Sequence, residues 1–327
     1  MSKGKIFVTG GAGFIGSRVV KMLLDQEYEV RCLLRKTTNT RRIDGLAFER
    51  FDGDITNATS LEEGMNGCTG VIHLASLSNW KDIKSAKMPL VVIDGSKNVI
   101  EAAKKNGNIK MVYVSSSTAV DGTDDLRILN EDSPLTLPKN NHYIYAHAKK
   151  EVEEYCKSEA KNGFPVVIVN PTEVYGPYDY DKITCGNLID FATTKTVQMA
   201  EGGTSIVYVD DVANGIIAAF EKGRPGERYI LGGDNVEFKD LAKITLELLG
   251  INKPVKMIGR GMLMSLAWIS KTLGINMGFE PAVIPYAVKY WFIDNKKAKE
   301  ELGVTFRSPK EILTPTLEWV KKEGMIK

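Results

Sequence analysis

Lys5-Ile6-Phe7-Val8-Thr9-Gly10-Gly11-Ala12-Gly13-Phe14-Ile15-Gly16 is the stretch that decides the fold. An apolar β-prone run ends at Thr9, and a helical pattern opens at Phe14 and continues to Leu24. Between them, Gly10 permits a tight turn, and Gly13 lets the backbone approach a pyrophosphate. Gly16 lets the helix pack closely on the strand. The helix N-terminus then faces the negative charge. Glycines also serve ordinary strand-to-helix turns, but here a strand precedes, a helix follows, and a second strand runs over Glu29–Leu34. The reading is a dinucleotide site contacted by Gly10, Gly13, Phe14, Ile15 and Gly16.

Working outward, Gly70–Leu74, Lys110–Val114 and Val166–Val169 read as further strands, most of them rich in Val, Ile or Leu, as parallel strands buried on both faces should be. Helical patterns lie between them at Gly95–Lys105 and Ala146–Lys161. This alternation predicts an α/β fold with a doubly wound parallel sheet of the Rossmann type. Asn170-Pro171 and Gly176-Pro177 then break the pattern. Ile206–Val209 and the helix after Asp210 look like a return to the first sheet. Mostly helical segments follow at Phe238–Leu249, Gly261–Leu273, Pro281–Phe292 and Pro309–Lys322. Residues 1–171 plus about 205–224 are expected to bind the nucleotide. The remainder, about 172–204 plus 225–327, should form a smaller discontinuous substrate-binding domain beyond the carboxyl ends of the strands.

Composition narrows the function. A chain of 327 residues with 43 Lys+Arg against 41 Asp+Glu carries a formal charge of +2. That balance argues against nucleic acid as a partner. Cys32, Cys68, Cys156 and Cys185 lack the paired spacing of a zinc or redox site, so no metal is expected. No apolar run approaches the roughly 18 residues of a membrane span. The first strand starts too early to leave room for a signal peptide. A cytoplasmic location is the expectation.

The end of the second strand selects the cofactor. NAD sites place Asp or Glu there to bond the ribose hydroxyls, whereas an arginine accommodates a 2′-phosphate. This chain reads Leu33-Leu34-Arg35-Lys36, with Arg41 and Arg42 close behind and no carboxylate before Asp44. Arg35 therefore favours NADP over NAD, although basic loop clusters are commonly just solvated.

Tyr145 and Lys149 stand one helical turn apart on one face. A free phenol titrates at about 10, too high for efficient proton exchange near neutrality. A fixed ammonium would favour the phenolate, and three units of depression need roughly 4 kcal/mol. Tyr143 finds His147 at the same offset, so Tyr145 is the better candidate. Ser115-Ser116-Ser117 ends the strand Lys110–Val114, where a hydroxyl can donate to a substrate oxygen or simply bond backbone.

These features in this order resemble the extended short-chain dehydrogenase/reductase family, within the NAD-dependent epimerase/dehydratase superfamily. Gly53-Asp54-Ile55, His73-Leu74-Ala75, Asn170-Pro171-Thr172, Val174-Tyr175-Gly176-Pro177, Val209-Asp210-Asp211-Val212-Ala213 and Lys297–Gly303 carry the likeness over nearly the whole chain. Arg35 and Gly223–Asp234 look most like the dihydroflavonol 4-reductase and 3β-hydroxysteroid dehydrogenase branch. The resemblance implies that Ser117 orients the substrate oxygen, Tyr145 transfers the proton, and Lys149 lowers the Tyr145 pKa and grips the nicotinamide ribose. It implies adenine contacts from Asp54 and Ile55, a cofactor wall from Leu74 and Ala75, and Pro171 and Val174 near the nicotinamide. Val92 stands where the family usually has an asparagine linked to proton relay. A homodimer through a helix pair including Ala146–Lys161 is common in the family, and a monomer stays open.

Sugar-nucleotide members usually grip the diphosphate with two arginines, in regions that here read Gly203–Tyr208 and Lys289–Asp294 without one. The apolar stretch Gly261–Ile269 reads as a packed cap helix or as the wall of an apolar substrate pocket. The expected activity is NADPH-dependent reduction of a ketone or aldehyde to an alcohol on a non-nucleotide, partly apolar substrate. A sugar epimerase or dehydratase that retains its cofactor and a non-catalytic NADP-sensing protein are the alternatives.

Overall fold

A computed structural model describes the chain except residues 1, 78–84, 86, 264, 266–283 and 327. Strands β1 (Lys5–Thr9), β2 (Glu29–Leu34), β3 (Glu49–Asp52), β4 (Gly70–His73), β5 (Lys110–Val114) and β6 (Val166–Pro171) alternate with helices Phe14–Asp25, Ala58–Met65, Gly95–Lys105 and Ile144–Lys161. They form an all-parallel seven-stranded sheet in the order β10-β6-β5-β4-β1-β2-β3, with β10 spanning Arg228–Leu231. The order reverses between β1 and β4. A crevice opens there at the carboxyl ends, where ligands of doubly wound sheets bind.

Period-two alternation divides the apolar side chains between the two faces. Val8, Ile72 and Val112 pack beneath helices Phe14–Asp25 and Val209–Lys222. Phe7, Val71 and Met111 face helices Ala58–Met65, Gly95–Lys105 and Ile144–Lys161. Each such side chain, fully buried, contributes about 1.5–3 kcal/mol. Burial on both faces is why these strands read as continuous apolar runs rather than alternating ones.

A second sheet gathers β7 (Glu173–Tyr175), β9 (Gly203–Tyr208), β11 (Asn235–Glu237) and β13 (Tyr290–Trp291). A third pairs β8 (Val197–Ala200) with β12 (Val255–Ile258). Helices Cys185–Thr193, Phe238–Leu249 and Pro309–Lys322 enclose a separate apolar core around Leu188, Leu241 and Leu317. None of the described helices is long and apolar enough to cross a membrane. All four cysteines are buried free thiols.

Three expectations are corrected here. The strand expected at Ile206–Val209 is the end of β9, which pairs with β7, β11 and β13, so only the helix Val209–Lys222 returns to the first sheet. Conversely β10, expected with the second part of the chain, pairs with β6 and forms the edge of the first sheet. Pro225-Gly226 forms a turn leading into that edge strand: Gly226 has φ +80° and donates to the Val166 carbonyl at 2.8 Å. The helix expected at Pro281–Phe292 is helical only over Ile284–Ala287 among the described residues, then becomes β13. The helix expected at 261–273 falls largely outside the described residues.

Candidate active site

The glycine turn sits against the end of β4. Gly10 has φ +73°, and a Cβ there would lie 2.7 Å from the Ala75 amide nitrogen and 2.8 Å from the Leu74 carbonyl carbon. A Cβ on Gly16 would overlap the Gly10 carbonyl, whereas one on Gly13 would meet only that carbonyl, at 3.1 Å. Two glycines thus close the turn on itself, and the third leaves its outer side open. Helix Phe14–Asp25 begins there with no capping side chain and no acid in its first turn. Its first N–H groups and the positive end of its dipole therefore face the crevice. This cradle fits a dinucleotide pyrophosphate.

Ile55 is buried at the end of the β3 segment, and its carbonyl accepts from Asn98 Nδ2 at 3.2 Å. Asp54 is tied into the same turn by Thr56, whose amide and hydroxyl donate to Asp54 Oδ1 at 2.9 and 2.8 Å. Arg35 follows β2 with an exposed side chain and forms no ion pair among the described residues. Its two basic neighbours are engaged elsewhere. The Arg41 guanidinium lies 3.0 Å from the Tyr180 ring centroid. Arg42 pairs with Asp181 at 2.7 Å and donates to the carbonyls of Tyr178 at 2.9 Å and Ala12 at 3.4 Å.

Beyond the glycine turn, Pro171 ends β6, and Val174 is buried in β7 opposite Val207. His73, at the end of β4, is wholly buried between the hydroxyls of Thr9 (2.6 Å) and Ser96 (2.9 Å). Burial, aided by the charge of Lys149, pushes the imidazole down to about 3, so it is neutral near neutrality. Val92 lies in a π-turn, Leu90–Asp94, and its carbonyl accepts from the Ser96 hydroxyl at 2.7 Å.

Tyr145 and Lys149 extend from the first turns of helix Ile144–Lys161 toward the end of β5. Lys149 is 2% exposed, and its Nζ donates to the Val114 carbonyl at 2.9 Å. That nitrogen lies 5.9 Å from the Tyr145 ring centroid and 5.0 Å from that of Tyr113. Burial pushes Lys149 down to about 7, against the upward pull of Glu153. The phenol of Tyr145 is pushed up to about 12 by burial, against the smaller downward pull of the nearby Ser76 and Ser116 hydroxyls. Lys149 is not among the groups that pull the phenol down in this arrangement, and its ammonium donates to the Val114 carbonyl. The phenol is held neutral.

Of the three serines, Ser117 is 8% exposed and opens a short 3-10 turn, Ser117–Ala119. The Ser116 hydroxyl, which pulls the Tyr145 phenol slightly down, caps the turn by accepting from the Thr118 amide at 3.2 Å. Ser115 points the other way and donates to Glu153 at 2.6 Å. Ser116 and Ser76 were missed in the sequence. The run of three serines marked the place, but the direction of each hydroxyl depends on where the strand gives way to the turn.

Residues 6–232 match the NAD dependent epimerase/dehydratase family. The chain is 29% identical over 331 residues to a putative dihydroflavonol 4-reductase from Synechocystis, covering 98% of this chain and 96% of that protein. It is 30% identical over 265 residues to cinnamoyl-CoA reductase 1 from Oryza sativa, covering 74% of this chain and 75% of the relative. In fold it is similar to a nucleoside-diphosphate-sugar epimerase from Pseudomonas aeruginosa, with TM-score 0.82, 23% identity and all of both chains covered. A glycine cradle at the switch point, a Tyr/Lys pair beside it and these matches together make the chain a member of the NAD-dependent epimerase/dehydratase family, with the extended short-chain dehydrogenase/reductase fold.

Proposed function

We propose that this protein reduces a ketone or aldehyde to an alcohol with NADPH, on a non-nucleotide, partly apolar substrate. The observation that carries the reading is the pair on one face of helix Ile144–Lys161 at the carboxyl end of β5: part-buried Tyr145, and Lys149, whose Nζ lies 5.9 Å from the Tyr145 ring centroid and donates to the Val114 carbonyl at 2.9 Å. When bound, the reduced cofactor supplies hydride to the carbonyl carbon. Gly10, Gly13, Phe14, Ile15 and Gly16 would hold its pyrophosphate, Arg35 its 2′-phosphate, and Asp54 and Ile55 its adenine. Leu74, Ala75, Pro171 and Val174 would line the remainder.

A phenol at about 12 is a better acid than an alkanol, so Tyr145 can protonate an alkoxide as it forms. Ser116 and Ser117 are the hydroxyl donors placed to hold that oxygen, with Ser117 the member expected from the resemblance. Lys149 supplies positive charge beneath the phenol once proton transfer leaves it negative.

Relatives named for carbonyl reduction support the chemistry. Against a sugar nucleotide, Gly203–Tyr208 is a largely buried strand, and the one cation of the second region, Lys289, pairs with Asp124 at 2.8 Å. A diphosphate would then lack charge-assisted bonds worth roughly 1.5–3 kcal/mol each. The test is NADPH oxidation with a panel of aromatic and aliphatic carbonyls. Tyr145→Phe should lower kcat by about 10²–10⁴-fold while leaving NADPH affinity intact. Retained nucleotide with no net NADPH consumption on any carbonyl would instead point to epimerisation.

A further inference from the structure

Behind the catalytic pair lies a buried polar cluster that carbonyl reduction as written above does not use. Glu153 is on helix Ile144–Lys161, one turn beyond Lys149, and is completely buried. Its Oε1 accepts from the Ser115 hydroxyl at 2.6 Å and from Asn170 Nδ2 at 2.5 Å, and its Oε2 pairs with the Arg228 guanidinium at 3.0 Å. Lys150 Nζ lies 3.9 Å from the same Oε2, so every partner is a donor or a cation and the group acts as an acceptor throughout, as an ionised carboxylate does. Asn170, wholly buried, also donates to the Ser116 carbonyl at 2.8 Å. We propose that Glu153 is a positioning residue of the active site, a buried counter-charge to Lys149 that also anchors the Ser115–Ser116 strand end, directly and through Asn170. This rests on the reading of Tyr145, Lys149 and Ser116 as the reacting constellation.

The groups facing Lys149 leave no other anion for that task among the described residues. On its own helix they are Tyr145, Glu153 and Cys156, on β5 Tyr113 and the Val114 carbonyl, and on β4 His73. Burial raises Tyr145, Tyr113 and Cys156 above their ordinary values, and His73 is neutral. Each of these groups is therefore uncharged near neutrality. Glu153 is the main group opposing the desolvation of the ammonium, ahead of Cys156. Arg228 does not cancel it entirely, since that guanidinium also donates to the carbonyls of Glu131 at 2.7 Å and Ser133 at 3.0 Å.

The rival role is that Glu153 merely neutralises Arg228. Glu153→Gln alone leaves a buried guanidinium unpaired and risks misfolding, so the deciding variant is Glu153→Gln with Arg228→Met, which removes both charges. Two readouts apply to the full chain saturated with NADP(H). One is the Lys149 titration, followed by NMR of ¹³Cε-labelled lysine and assigned by its loss in Lys149→Met. The other is the alkaline limb of kcat for carbonyl reduction. In the double variant both should move to lower pH by about one unit, as loss of a nearby opposite charge predicts, with KM for the carbonyl changed little. Wild-type titration and wild-type limb in the double variant, with only the melting temperature altered, would overturn the proposal. If wild-type protein reduces no carbonyl at all, the proposed reaction fails, and the lysine titration by itself still decides whether Glu153 is the counter-charge.

Discussion

A phenol and an ammonium on adjacent turns of one helix have been moved by the same cause, burial, in ways that leave each neutral form favoured. Tyr145 is raised to about 12 and Lys149 lowered to about 7. The spacing of four made the pair legible in sequence, because helix geometry alone places the two on one face. The sign of the phenol's shift was not legible, since it depends on how deeply the folded chain buries the phenol. The serines show the same limit, and they separate experimentally. Ser116→Ala should lower kcat more than Ser117→Ala, since of the two hydroxyls only that of Ser116 pulls on the Tyr145 phenol; steady-state kinetics on both variants decide it. His73 gives a pH prediction. Its unfolded value is about 6.5 and its folded value about 3, so below about pH 6.5 the unfolded chain binds a proton the folded chain refuses. Stability should therefore fall on acidification from about pH 6.5 to pH 3, by up to about 1.4 kcal/mol per pH unit from this group. Urea-unfolding midpoints for wild type and His73→Asn should show a shallower acid dependence in the variant.

Among the elements, the long buried ones were legible and the short ones were not. Strands β1, β2 and β5 and helix Gly95–Lys105 lie where their apolar patterns put them. The two-residue strand β13 lies inside a stretch whose composition reads as helical, and only its pairing with β9 makes it a strand. Such a pairing is a tertiary effect that no local periodicity records. Strand β10 was assigned to the second part of the chain because the segment after 224 reads as mostly helical, although the turn at Pro225-Gly226 only reverses the backbone before the chain rejoins β6. The glycine turn was readable down to single residues, and it yields a prediction. Gly16→Ala would drive a methyl into the Gly10 carbonyl. Overpacking of that kind costs about 1–3 kcal/mol. The variant should melt lower and lose NADP-induced stabilisation, which thermal denaturation with and without cofactor would read.

For the whole molecule, the strand order and the crevice at its reversal follow from the alternation of elements, and the family match agrees. Cofactor preference is the property left to the surface of that architecture. Arg35 is the one arginine of its corner whose side chain has no partner among the described residues, so it should carry the discrimination. Arg35→Ala is expected to weaken NADP by about 10–100-fold, the loss of a hydrogen bond to a charged group worth roughly 1.5–3 kcal/mol, with NAD little affected. Ligand-induced shifts in melting temperature across both dinucleotides test this.

Arg42 touches the glycine turn at Ala12 and, from the same guanidinium, Tyr178 and Asp181, while Arg41 covers Tyr180. Tyr178 and Lys182 bracket that segment in left-handed backbone, at φ 75° and 54°, a conformation ordinary side chains adopt only at a cost. Redesigning this corner to accept the other dinucleotide is thus never a local swap. Any change that draws the paired guanidiniums toward a phosphate unfastens the Tyr178–Lys182 segment. Selectivity for the coenzyme and the seating of the Tyr178–Lys182 segment would drift together.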